Sequence, residues 1–542
     1  MSEFSQLPCS PAWDILSNTA KAHPDLRCLD FLGNTMTYGE VWATVRLAAR
    51  GLQDLGVKKG DRVGLCLPNC PYYVIAHYAT LLAGGTVVNF NPLYTKQEIH
   101  HQIVDSSITI MFTLDIKTIY EKVASALHNT SLRSIVVCAL SEALPPIKSL
   151  LFQVFKRAEI ATIPKDLGHV PFELLIADKD EPRPVDIDPK TDIAILQYTG
   201  GTTGVPKAAM LTHANIRANT EQVRLWLDDT EPGQEKFLCV IPFFHVFAMT
   251  AAMNFGLTTG SELILLPRFD LSDLLDTITQ KKPTIFPAVP TIYGAINAAQ
   301  DLDRYDLKSI RYCISGGAPL PGKVKTGFEA ISDCVLVEGY GLSEASPVVA
   351  CNHPKRENKA GSIGLALPWT EIECRDLDDF DKVSAPGEPG ELIIKGPQVM
   401  AGYLDNEDET NLVLNDGWLR TGDVGYQDKD GYFFLTDRIK DLIICSGFKV
   451  YPHVIEEALY RHEDVYEAIV IGIPDDYRGE VPKAFVTLKS GAKATAESLL
   501  AYANKNLNPI ERPIAVEIRN ELPKTLVGKL SKKELIKEQS HG

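Results

Sequence analysis

The chain has 542 residues, of which 45% are hydrophobic, and its formal net charge is −16. At roughly 150 residues per domain, this length exceeds one ordinary domain and provides enough apolar residues for sizeable cores. The acidic balance disfavours nucleic acid as a partner, whereas a nucleotide needs only a local basic pocket.

Targeting and cysteine patterns predict a cytoplasmic protein. The N-terminal sequence MSEFSQLPCSPAWDIL lacks the basic and apolar regions of a secretory signal. No apolar run reaches the length of about 18 residues that a transmembrane helix needs. The eleven cysteines form no CxxC pair, so we expect reduced, buried thiols rather than a zinc site or disulfides.

Short apolar runs alternate with helix-like patterns along most of the chain. This alternation predicts βα units around mostly parallel sheets, and the two groups of runs predict two such sheets. The runs are RVGLCLP, GTVVNF, ITIMFTL and RSIVVCA, followed later by FLCVIP, TIFPAV and RYCISG.

The segment PPIKSLLFQVFKRAE, residues 145–159, is short and amphipathic, and Lys148, Lys156 and Arg157 accompany its apolar residues. The simpler interpretation is a surface helix packed on its own domain. The alternative is a peripheral contact with the inner face of a membrane, which basic amphipathic helices favour.

A loop rich in glycine and threonine follows the strand-like run DIAILQ, in the sequence YTGGTTGVPKAAM, residues 198–210. Its glycines expose backbone N–H groups, Thr202 and Thr203 add hydroxyl donors, and Lys207 adds a positive charge. The loop therefore predicts a phosphate-binding site, although it lacks the Gly-Lys-Ser/Thr ending of a Walker A loop.

Two other motif matches carry little information. The sequence GAPLPGKV, residues 317–324, has the GxxxxGK spacing but ends in valine, so the hydroxyl that binds magnesium in a P-loop is missing. His100 and Asp105 fit the HxxxxD spacing of some acyltransferases, but two matching residues are better explained as one face of a helix.

The pattern changes beyond Ala360. GELIIKGPQVMAGYL and DGYFFLTDRIKDLIIC combine glycines with alternating apolar residues, which predicts antiparallel strands and tight turns in a β-barrel-like part. A smaller α+β pattern follows Asp437. We therefore predict a large α/β N-terminal domain, residues 1–437, and a small mobile α+β domain, residues 438–542.

Seven motifs together resemble those of the adenylate-forming superfamily, which comprises acyl-CoA synthetases, luciferases and the adenylation domains of peptide synthetases. The resemblance covers essentially the whole chain and is strongest to bacterial long-chain fatty-acid–CoA ligases. Besides the loop at 198–210, the motifs are PFFHVFAM (242–249), SGGAPLP (315–321), EGYGLSEASP (338–347), GWLRTGD (417–423), DRIKDLIICSGFKVYP (437–452) and LPKTLVGKL (522–530).

The resemblance implies an ATP site. It places the phosphates near Lys207, adenine on Tyr340 and ribose at Asp423, with Arg438 assisting, and it implies that Lys529 bridges the substrate carboxylate and the α-phosphate. The implied ATP-binding residues are Thr199, Gly200, Gly201, Thr202, Thr203, Gly204, Lys207, Gly317, Ala318, Glu338, Gly339, Tyr340, Gly341, Ser343, Asp423, Arg438 and Lys529.

Magnesium and CoA sites are implied in the same way. Glu344 with Ser343 would hold Mg2+; the family often has threonine at 343, and serine keeps the hydroxyl. The resemblance also implies a hinge at 437–441 centred on Lys440. The implied CoA-binding residues are Ser446, Gly447, Phe448 and Lys449.

The acyl site is implied at His245, Val246, Gly316 and Gly341. His245 joins Lys207 and Lys529 as a catalytic candidate, although a capping or core histidine explains it equally well. Small residues follow it, and they fit either a long apolar channel or a tight helix contact. They are Ala248, Ala251, Ala252 and Gly256.

The implied activity is ATP-dependent ligation of a medium- or long-chain fatty acid to CoA through an acyl-adenylate, which releases AMP and pyrophosphate. An aryl-acid CoA ligase is the alternative substrate class. An adenylase serving a carrier protein, a luciferase-like oxidase and a non-enzymatic binding protein are further alternatives. The implied partners are fatty acid, ATP and CoA but not nucleic acid, and the resemblance is compatible with a homodimer.

Overall fold

Four sheets organise the part of the chain that the computed structural model describes, which is residues 7–127, 129–177, 180–199, 206–475, 477–489, 491–524 and 530–540. Two large sheets are mainly parallel, a third is antiparallel, and the fourth belongs to the C-terminal region.

The first large sheet has eight strands and contains the runs RVGLCLP, GTVVNF, ITIMFTL and RSIVVCA as neighbouring parallel strands. Antiparallel strands at one edge continue it towards the glycine-rich loop. In spatial order the strands are β19 (Gly402–Tyr403), β9 (Lys207–Thr212), β8 (Ile193–Thr199), β4 (Thr86–Asn89), β3 (Arg62–Cys66), β5 (Ile110–Leu114), β6 (Ser134–Cys138) and β7 (His169–Pro171).

The second large sheet has nine strands and a parallel centre made from the later runs FLCVIP, TIFPAV and RYCISG. In spatial order the strands are β16 (Leu365–Ala366), β15 (Val348–Cys351), β14 (Val335–Gly341), β13 (Tyr312–Ser315), β12 (Ile285–Ala288), β10 (Lys236–Cys239), β11 (Glu262–Leu265), β1 (Arg27–Phe31) and β2 (Asn34–Thr37). The prediction of two βα sheets is therefore confirmed.

Helices cover and connect these sheets. One continuous buried apolar cluster includes strands of both large sheets and helices that pack on them, among them α2 (Tyr38–Asp54), α3 (Pro71–Leu82) and α9 (His213–Trp226). The helices are α1 (Asp14–Ala22), α2 (Tyr38–Asp54), α3 (Pro71–Leu82), α4 (Lys96–Ser106), α5 (Lys117–Ala124), α6 (Leu140–Ala143), α7 (Pro146–Phe155), α8 (Phe172–Leu175), α9 (His213–Trp226), α10 (Val246–Ala248), α11 (Phe255–Thr258), α12 (Leu271–Lys281), α13 (Pro290–Asn297), α14 (Gly322–Ser332), α15 (Glu407–Val413), α16 (Pro452–Tyr460), α17 (Ala496–Asn506) and α18 (Lys532–Ser540).

Helix α3 is buried on nearly all sides, because apolar residues cover its whole circumference. The Tyr73 hydroxyl on this helix donates to the Phe243 carbonyl at 2.9 Å. The helix thus fixes the position of the PFFHVFAM motif. Short 3₁₀ turns at Arg157–Glu159, Leu302–Arg304, Ser343–Ala345 and Ile439–Asp441 and a π-helical turn at Met249–Asn254 complete the helical elements.

The part predicted to be barrel-like is an antiparallel sheet of five strands. Strand β22 (Phe433–Arg438) pairs with the long strand β21 (Trp418–Gln427) and places the start of the 437–452 motif beside the GWLRTGD motif. The strands are β17 (Glu371–Arg375), β18 (Gly390–Lys395), β20 (Leu414–Asn415), β21 (Trp418–Gln427) and β22 (Phe433–Arg438).

The C-terminal region has its own sheet and its own apolar core, as its α+β pattern predicts. Helices α16 and α17 pack on this sheet. Its strands are β23 (Ile443–Cys445), β24 (Phe448–Val450), β25 (Val465–Asp475), β26 (Gly479–Leu488) and β27 (Ala515–Ile518). A large α/β domain followed by a small α+β domain is confirmed, and the boundary at 437/438 stays a prediction.

The remaining sequence patterns have simple structural explanations. All eleven cysteines are free thiols, and all except Cys9 are buried. His100 and Asp105 lie on α4, where the Asp105 carboxylate accepts a short hydrogen bond from the Tyr198 hydroxyl. Among the described residues, no helix combines the length and apolar character of a membrane span.

Candidate active site

A hairpin places the two ends of the glycine-rich loop opposite each other. Strands β8 and β9 pair antiparallel, with Thr199 opposite Lys207, and the Thr199 hydroxyl donates to the Lys207 carbonyl at 3.4 Å. Gly200, Gly201, Thr202, Thr203 and Gly204 lie outside the described residues. The two described ends of the loop, Thr199 and Lys207, are therefore adjacent.

The Lys207 side chain has two neighbours that the sequence did not reveal. Its ammonium lies 2.6 Å from the Glu409 carboxylate and 5.4 Å from the centre of the Tyr403 ring. Glu409 is in the first turn of α15, which begins at the capping residue Asn406. The sequence NEDE has the signature of a helix N-terminus, a capping residue followed by acidic side chains. That signal predicts the helix but not the distant partner.

The Glu344 carboxylate lies in the same region, in the 3₁₀ turn Ser343–Ala345. Its Oε1 accepts a hydrogen bond from the Tyr403 hydroxyl at 2.8 Å. Burial, followed by the charge of Glu344, raises the pKa of Tyr403, so the phenol stays protonated and remains a donor. Tyr403 therefore contacts both Lys207 and Glu344, which are predicted to bind phosphate and metal.

The oxygen atoms near Ser343 fit a magnesium ion. A carboxylate and a hydroxyl are the hard ligands that Mg2+ prefers, and it usually takes only one or two protein carboxylates together with substrate phosphates. No cluster of three or more His, Cys, Asp or Glu side chains arranged for a metal occurs among the described residues. The donors therefore suit a metal that arrives with a nucleotide.

Three predicted ATP-binding side chains form one network. The Tyr340 hydroxyl donates to Asp423 Oδ2 at 2.6 Å, and Arg438 Nε lies 2.7 Å from Asp423 Oδ1. The pairing of β21 with β22 brings Asp423 directly opposite Arg438. Burial raises the pKa of the Asp423 carboxyl even though Arg438 favours its charged form. The arrangement presents a buried anion, a buried aromatic ring and a cation at one place.

Several glycines lie at strand ends of the second large sheet, and two of them flank Tyr340 in sequence. A Cβ atom at Gly341 would lie 2.1 Å from the Pro347 carbonyl oxygen, and one at Gly316 would lie 3.0 Å from the Phe247 ring. Gly317 has φ +84°, which favours glycine. Gly339 lies on β14, two residues before Gly341, and Ala318 follows Gly317. Gly341 and Gly316 are therefore required by close packing of the protein against itself at these strand ends.

Glu338 lies on β14 just before the Tyr340 network. Its carboxylate accepts a hydrogen bond from the Leu320 N–H at 3.1 Å. Burial raises the pKa of Glu338 to about 8, with Glu457 adding to the rise and Lys325 opposing it. A carboxyl with this pKa is neutral at pH 7, so it can also donate a hydrogen bond.

The PFFHVFAM motif is held by polar side chains from neighbouring elements. Asn69 accepts from the Phe243 N–H at 2.8 Å and donates to the Ile241 carbonyl, and Gln197 donates to the Phe244 carbonyl at 3.1 Å. Because Gln197 is on β8, the PFFHVFAM motif is fixed to the strand that precedes the glycine-rich loop.

His245 caps a helix. Its Nδ1 accepts from the Phe247 N–H at 3.3 Å at the start of α10, where Val246 is buried. The capping interpretation of this histidine is therefore observed, and its assignment as a catalytic and acyl-site residue stays a prediction.

The π-helical turn at Met249–Asn254 contributes Ala251 to a small cavity with an entirely apolar lining, which also includes Trp226, Ile314, Val337 and Leu367. Its volume of ≈ 20 Å³ is about what one water molecule needs. Of the small residues after His245, one fits an apolar channel and another fits a tight helix contact. Ala251 lines the cavity, whereas Gly256 makes a tight contact, because a Cβ atom there would lie 2.5 Å from Leu263.

The predicted CoA-binding residues form an exposed edge of the small domain. Ser446 and Gly447 adopt positive φ angles of 52° and 80°, Phe448 is 64% exposed, and Lys449 lies 2.7 Å from Asp378 of the antiparallel sheet region. This edge lies beside the large domain rather than in the network around Tyr340 and Asp423.

The predicted hinge forms a short 3₁₀ turn, Ile439–Asp441. Burial lowers the pKa of Lys440 in this turn. Next to it, the Asp437 carboxylate accepts from the His453 N–H at 2.9 Å and lies 3.9 Å from Lys532 Nζ. Lys529 lies outside the described residues, just before α18, which carries Lys532.

Comparison with known families identifies the family of this chain. A model described as AMP-binding enzyme matches residues 16–404, and a model of the AMP-binding enzyme C-terminal domain matches residues 454–529. The chain belongs to the AMP-binding enzyme family. Residues 405–453 lie between the two matches, and this segment carries Glu409, Asp423, Arg438, the turn Ile439–Asp441 and the edge at 446–449.

Relatives of this AMP-binding enzyme span nearly its whole length. The long-chain-fatty-acid–CoA ligase of Bacillus subtilis (strain 168) is 44% identical over 98% of this chain and 95% of the relative. That of Yersinia pestis is 36% identical over 97% and 94%. The probable 4-coumarate–CoA ligase 1 of Dictyostelium discoideum is 34% identical over 91% and 88%. The resemblance to bacterial long-chain fatty-acid–CoA ligases is confirmed.

Solved structures confirm the fold of this AMP-binding enzyme. ATP-bound MatB from Rhodopseudomonas palustris aligns with a TM-score of 0.85 at 25% identity and covers 98% of this chain and 99% of that chain. The anthranilate CoA ligase AuaEII in complex with anthranoyl-AMP also aligns with a TM-score of 0.85 at 25% identity, covering 99% and 98%.

Proposed function

We propose that this AMP-binding enzyme ligates a medium- or long-chain fatty acid to CoA through an acyl-adenylate, with release of AMP and pyrophosphate. The observation that carries the proposal is the 44% identity over 98% of the chain to a long-chain-fatty-acid–CoA ligase. The clustering of Lys207, Glu344, Asp423 and Arg438 supports it, because adenylation needs cations for phosphates and an anion for ribose.

In the first half-reaction a carboxylate attacks the α-phosphate of ATP, and pyrophosphate leaves. Two anions must meet, so positive charge and fixed donors supply most of the catalysis. In the proposed roles, Lys207 binds the terminal phosphates beside the loop that starts at Thr199, and Lys529 contacts the substrate carboxylate and the α-phosphate. Lysine suits both tasks because its charge is compact and its stem is long.

The nucleoside is proposed to bind at the Tyr340 network. The Tyr340 ring offers a flat face for adenine, and the Asp423 carboxylate, oriented by Arg438, would accept the ribose hydroxyls. Ser343 and Glu344 would hold Mg2+, which neutralises phosphate charge when bound. Glu338, neutral at pH 7, lies beside Gly339 at the end of the same strand.

The second half-reaction is the attack of the CoA thiol on the acyl-adenylate. The edge at Ser446–Lys449 now lies against Asp378, so this proposal includes a rotation of the small domain about residues 437–441. The rotation would exchange the Lys529 segment for the 446–449 edge at the active site. Gly447, with its positive φ and open surroundings, would allow pantetheine to pass close to the backbone.

The acyl chain is proposed to enter the apolar cavity that Ala251 lines. A space of ≈ 20 Å³ is too small for such a chain, so side chains such as Trp226 and Leu367 would have to move apart. Each buried methylene stabilises binding by about 0.8 kcal/mol, so an opened cavity favours longer chains. An aryl acid is the second candidate, supported by the identity to the probable 4-coumarate–CoA ligase 1.

We also propose that α7 contacts a membrane surface. None of its residues is buried, and Ile147 and Phe155 are each 76% exposed, together with Leu150, Leu151 and Val154. Lys148 and Lys156 lie on the same segment and suit anionic headgroups. A long-chain fatty acid partitions into lipid, so a peripheral contact would bring the enzyme to its substrate.

A homodimer remains a prediction of the family resemblance, to be tested by light scattering.

Pyrophosphate and AMP release test the proposed function. The assay uses ATP, Mg2+ and acids from acetate to oleate, with coumarate and benzoate, each with and without CoA. A Lys207→Met variant, which keeps the side-chain length but removes the charge, serves as the inactive control. We expect a CoA-dependent signal that rises with chain length from octanoate to oleate.

Other outcomes would redirect the proposal. Activity confined to coumarate and benzoate would assign the aryl-acid class. Release that stops at one equivalent with CoA present would indicate another acceptor, such as a carrier protein. Absence of acid-dependent pyrophosphate release from the wild type would contradict adenylation altogether.

A further inference from the structure

Tyr403 links two charged groups that come from different parts of the chain. Its strand, β19, pairs with β9 so that Tyr403 lies opposite Ala209, two residues beyond Lys207. Its hydroxyl donates to Glu344 Oε1 at 2.8 Å, and the Lys207 ammonium lies 5.4 Å from its ring centre. One side chain thus contacts both the cation and the carboxylate.

The backbone around Tyr403 is fixed at several points. Its N–H donates to Thr410 Oγ1 at 2.9 Å, and the next N–H, of Leu404, donates to the Ala208 carbonyl at 2.9 Å. The Met400 N–H donates to the Glu344 carbonyl at 2.8 Å. The Tyr403 side chain is only 8% exposed. The ring and hydroxyl therefore have a defined position relative to the Glu344 turn.

We propose that Tyr403 is a positioning residue for adenylation, which orients the Glu344 carboxylate for a magnesium ion and supports the Lys207 ammonium beside it. This inference rests on the proposed function, because it assigns a purpose to the contacts of Tyr403 in the ATP site. Sequence motifs did not indicate Tyr403, since only the pairing of β19 with β9 brings it to Lys207.

The two contacts of Tyr403 differ in strength, and this difference makes the role testable. A hydrogen bond to a charged carboxylate is strong and directional. A cation near an aromatic ring at a partly exposed site gains little and does not need the hydroxyl. Removing only the hydroxyl should therefore disturb Glu344 and its metal while Lys207 keeps its aromatic neighbour.

The test compares ATP binding with and without magnesium. Calorimetry measures the affinity of the full-length protein for ATP in excess MgCl2 and in EDTA, and pyrophosphate release measures the Mg2+ concentration for half-maximal rate. The variants are Tyr403→Phe, which removes the hydroxyl, and Tyr403→His, which restores a donor on a flat ring.

Tyr432→Phe is the matched control. Tyr432 is buried to a similar degree, at 6% exposure, its hydroxyl donates to the Glu357 carbonyl at 2.7 Å, and the Lys359 ammonium lies 4.6 Å from its ring centre. The control therefore removes the same type of hydroxyl beneath the same type of cation, at a position that does not contact Glu344.

For Tyr403→Phe we expect ATP affinity in EDTA to stay unchanged and affinity in MgCl2 to fall roughly 10- to 150-fold, the effect of one hydrogen bond to a charged group. The half-saturating Mg2+ concentration should rise by a similar factor, with partial recovery in Tyr403→His and no change in Tyr432→Phe. Equal loss in EDTA and MgCl2, or values matching those of Tyr432→Phe, would overturn the proposal. If the wild type binds ATP but releases no pyrophosphate, the proposed function is refuted. The calorimetric comparison would still decide the role of Tyr403, so the two failures are distinguishable.

Discussion

The ammonium of Lys207 and the carboxylate of Glu409 lie 2.6 Å apart, although 202 residues separate them in sequence. The pair forms because β9 begins at Lys207 and α15 starts beside it, with Asn406 capping the helix and Glu409 in its first turn. If Lys207 binds the phosphates of ATP, then the phosphates and Glu409 compete for one ammonium group.

Removing the competing charge should strengthen ATP binding. We expect Glu409→Gln to lower the KM for ATP by roughly two- to fivefold, which corresponds to the loss of a partly exposed ion pair of up to about 1 kcal/mol. Steady-state kinetics at saturating fatty acid and CoA measure this change. Asp408→Asn removes a charge from the same turn of α15 and should leave KM unchanged. A higher KM in Glu409→Gln would instead indicate that Glu409 assists nucleotide binding.

Glu338 predicts a pH dependence of ATP binding. Burial raises the pKa of Glu338 to about 8, so the carboxyl is neutral below this pH and becomes an anion above it. A new anion near the proposed nucleotide site repels ATP. We expect the KM for ATP to rise between pH 7 and 9 in the wild type and to stay flat in Glu338→Gln. Parallel profiles of the two proteins would contradict this assignment.

The same residue predicts a change in stability with pH. The pKa of Glu338 in the folded state lies above the ordinary value of 4.5, so the folded protein holds this proton more tightly than the unfolded chain. The free energy of unfolding that Glu338 contributes therefore falls as the pH rises from about 4.5 to about 8, and it stays constant above that range. Urea unfolding of Glu338→Gln should lack this component.

Lys529→Ala should separate the two half-reactions. We expect adenylation, measured as acid-dependent pyrophosphate exchange, to fall roughly 100- to 1,000-fold, as when one charge-stabilising donor is lost from an active site. Thioester formation from supplied acyl-adenylate should stay largely intact. Lys524→Ala serves as a control in the same segment, since Lys524 pairs with Glu467 within the small domain. Equal loss of both half-reactions would refute the role assigned to Lys529.

Stiffening the proposed hinge should affect the second half-reaction more. Proline fixes φ and restricts the preceding residue, so Lys440→Pro limits the backbone change that a rotation requires. We expect CoA transfer to fall at least severalfold more than adenylation in single-turnover assays. Lys440→Ala removes the same side chain without restricting the backbone and should spare both steps. Greater loss of adenylation in Lys440→Pro would count against the rotation.

The exposed face of α7 predicts vesicle binding. Replacing Leu150, Val154 and Phe155 with glutamine should lower the affinity for anionic vesicles tenfold or more, given about 1.5–3 kcal/mol for each fully buried apolar side chain. Turnover of octanoate in solution should not change. Val383→Gln alters another exposed apolar residue, 53% exposed, and should bind vesicles normally. Unchanged vesicle binding of the triple variant would identify α7 as ordinary surface.

The sequence by itself determined the order of the elements and the family. The apolar runs predicted the parallel strands β3 to β6, β10, β12 and β13, because a buried parallel strand is a short apolar segment, whatever surrounds it. The glycine-rich loop and the strand-end glycines were visible for a similar reason. A tight turn or a close backbone contact restricts residue type within a few positions, so the signal is local.

Only the tertiary structure decided which side chains meet. Tyr403 and Glu409 reach Lys207 because β19 pairs with β9, and no periodicity within the segment around residue 403 specifies that pairing. His245 has the same residue type whether it caps a helix or faces a ligand, and its contact with the Phe247 N–H is set by the fold. The pKa of Glu338 depends on its burial and on the charge of Glu457, which lies more than a hundred residues away in sequence. Distances and burial arise from packing between segments that are distant in sequence. A motif reflects only local constraints on its own few residues, so it does not specify those distances.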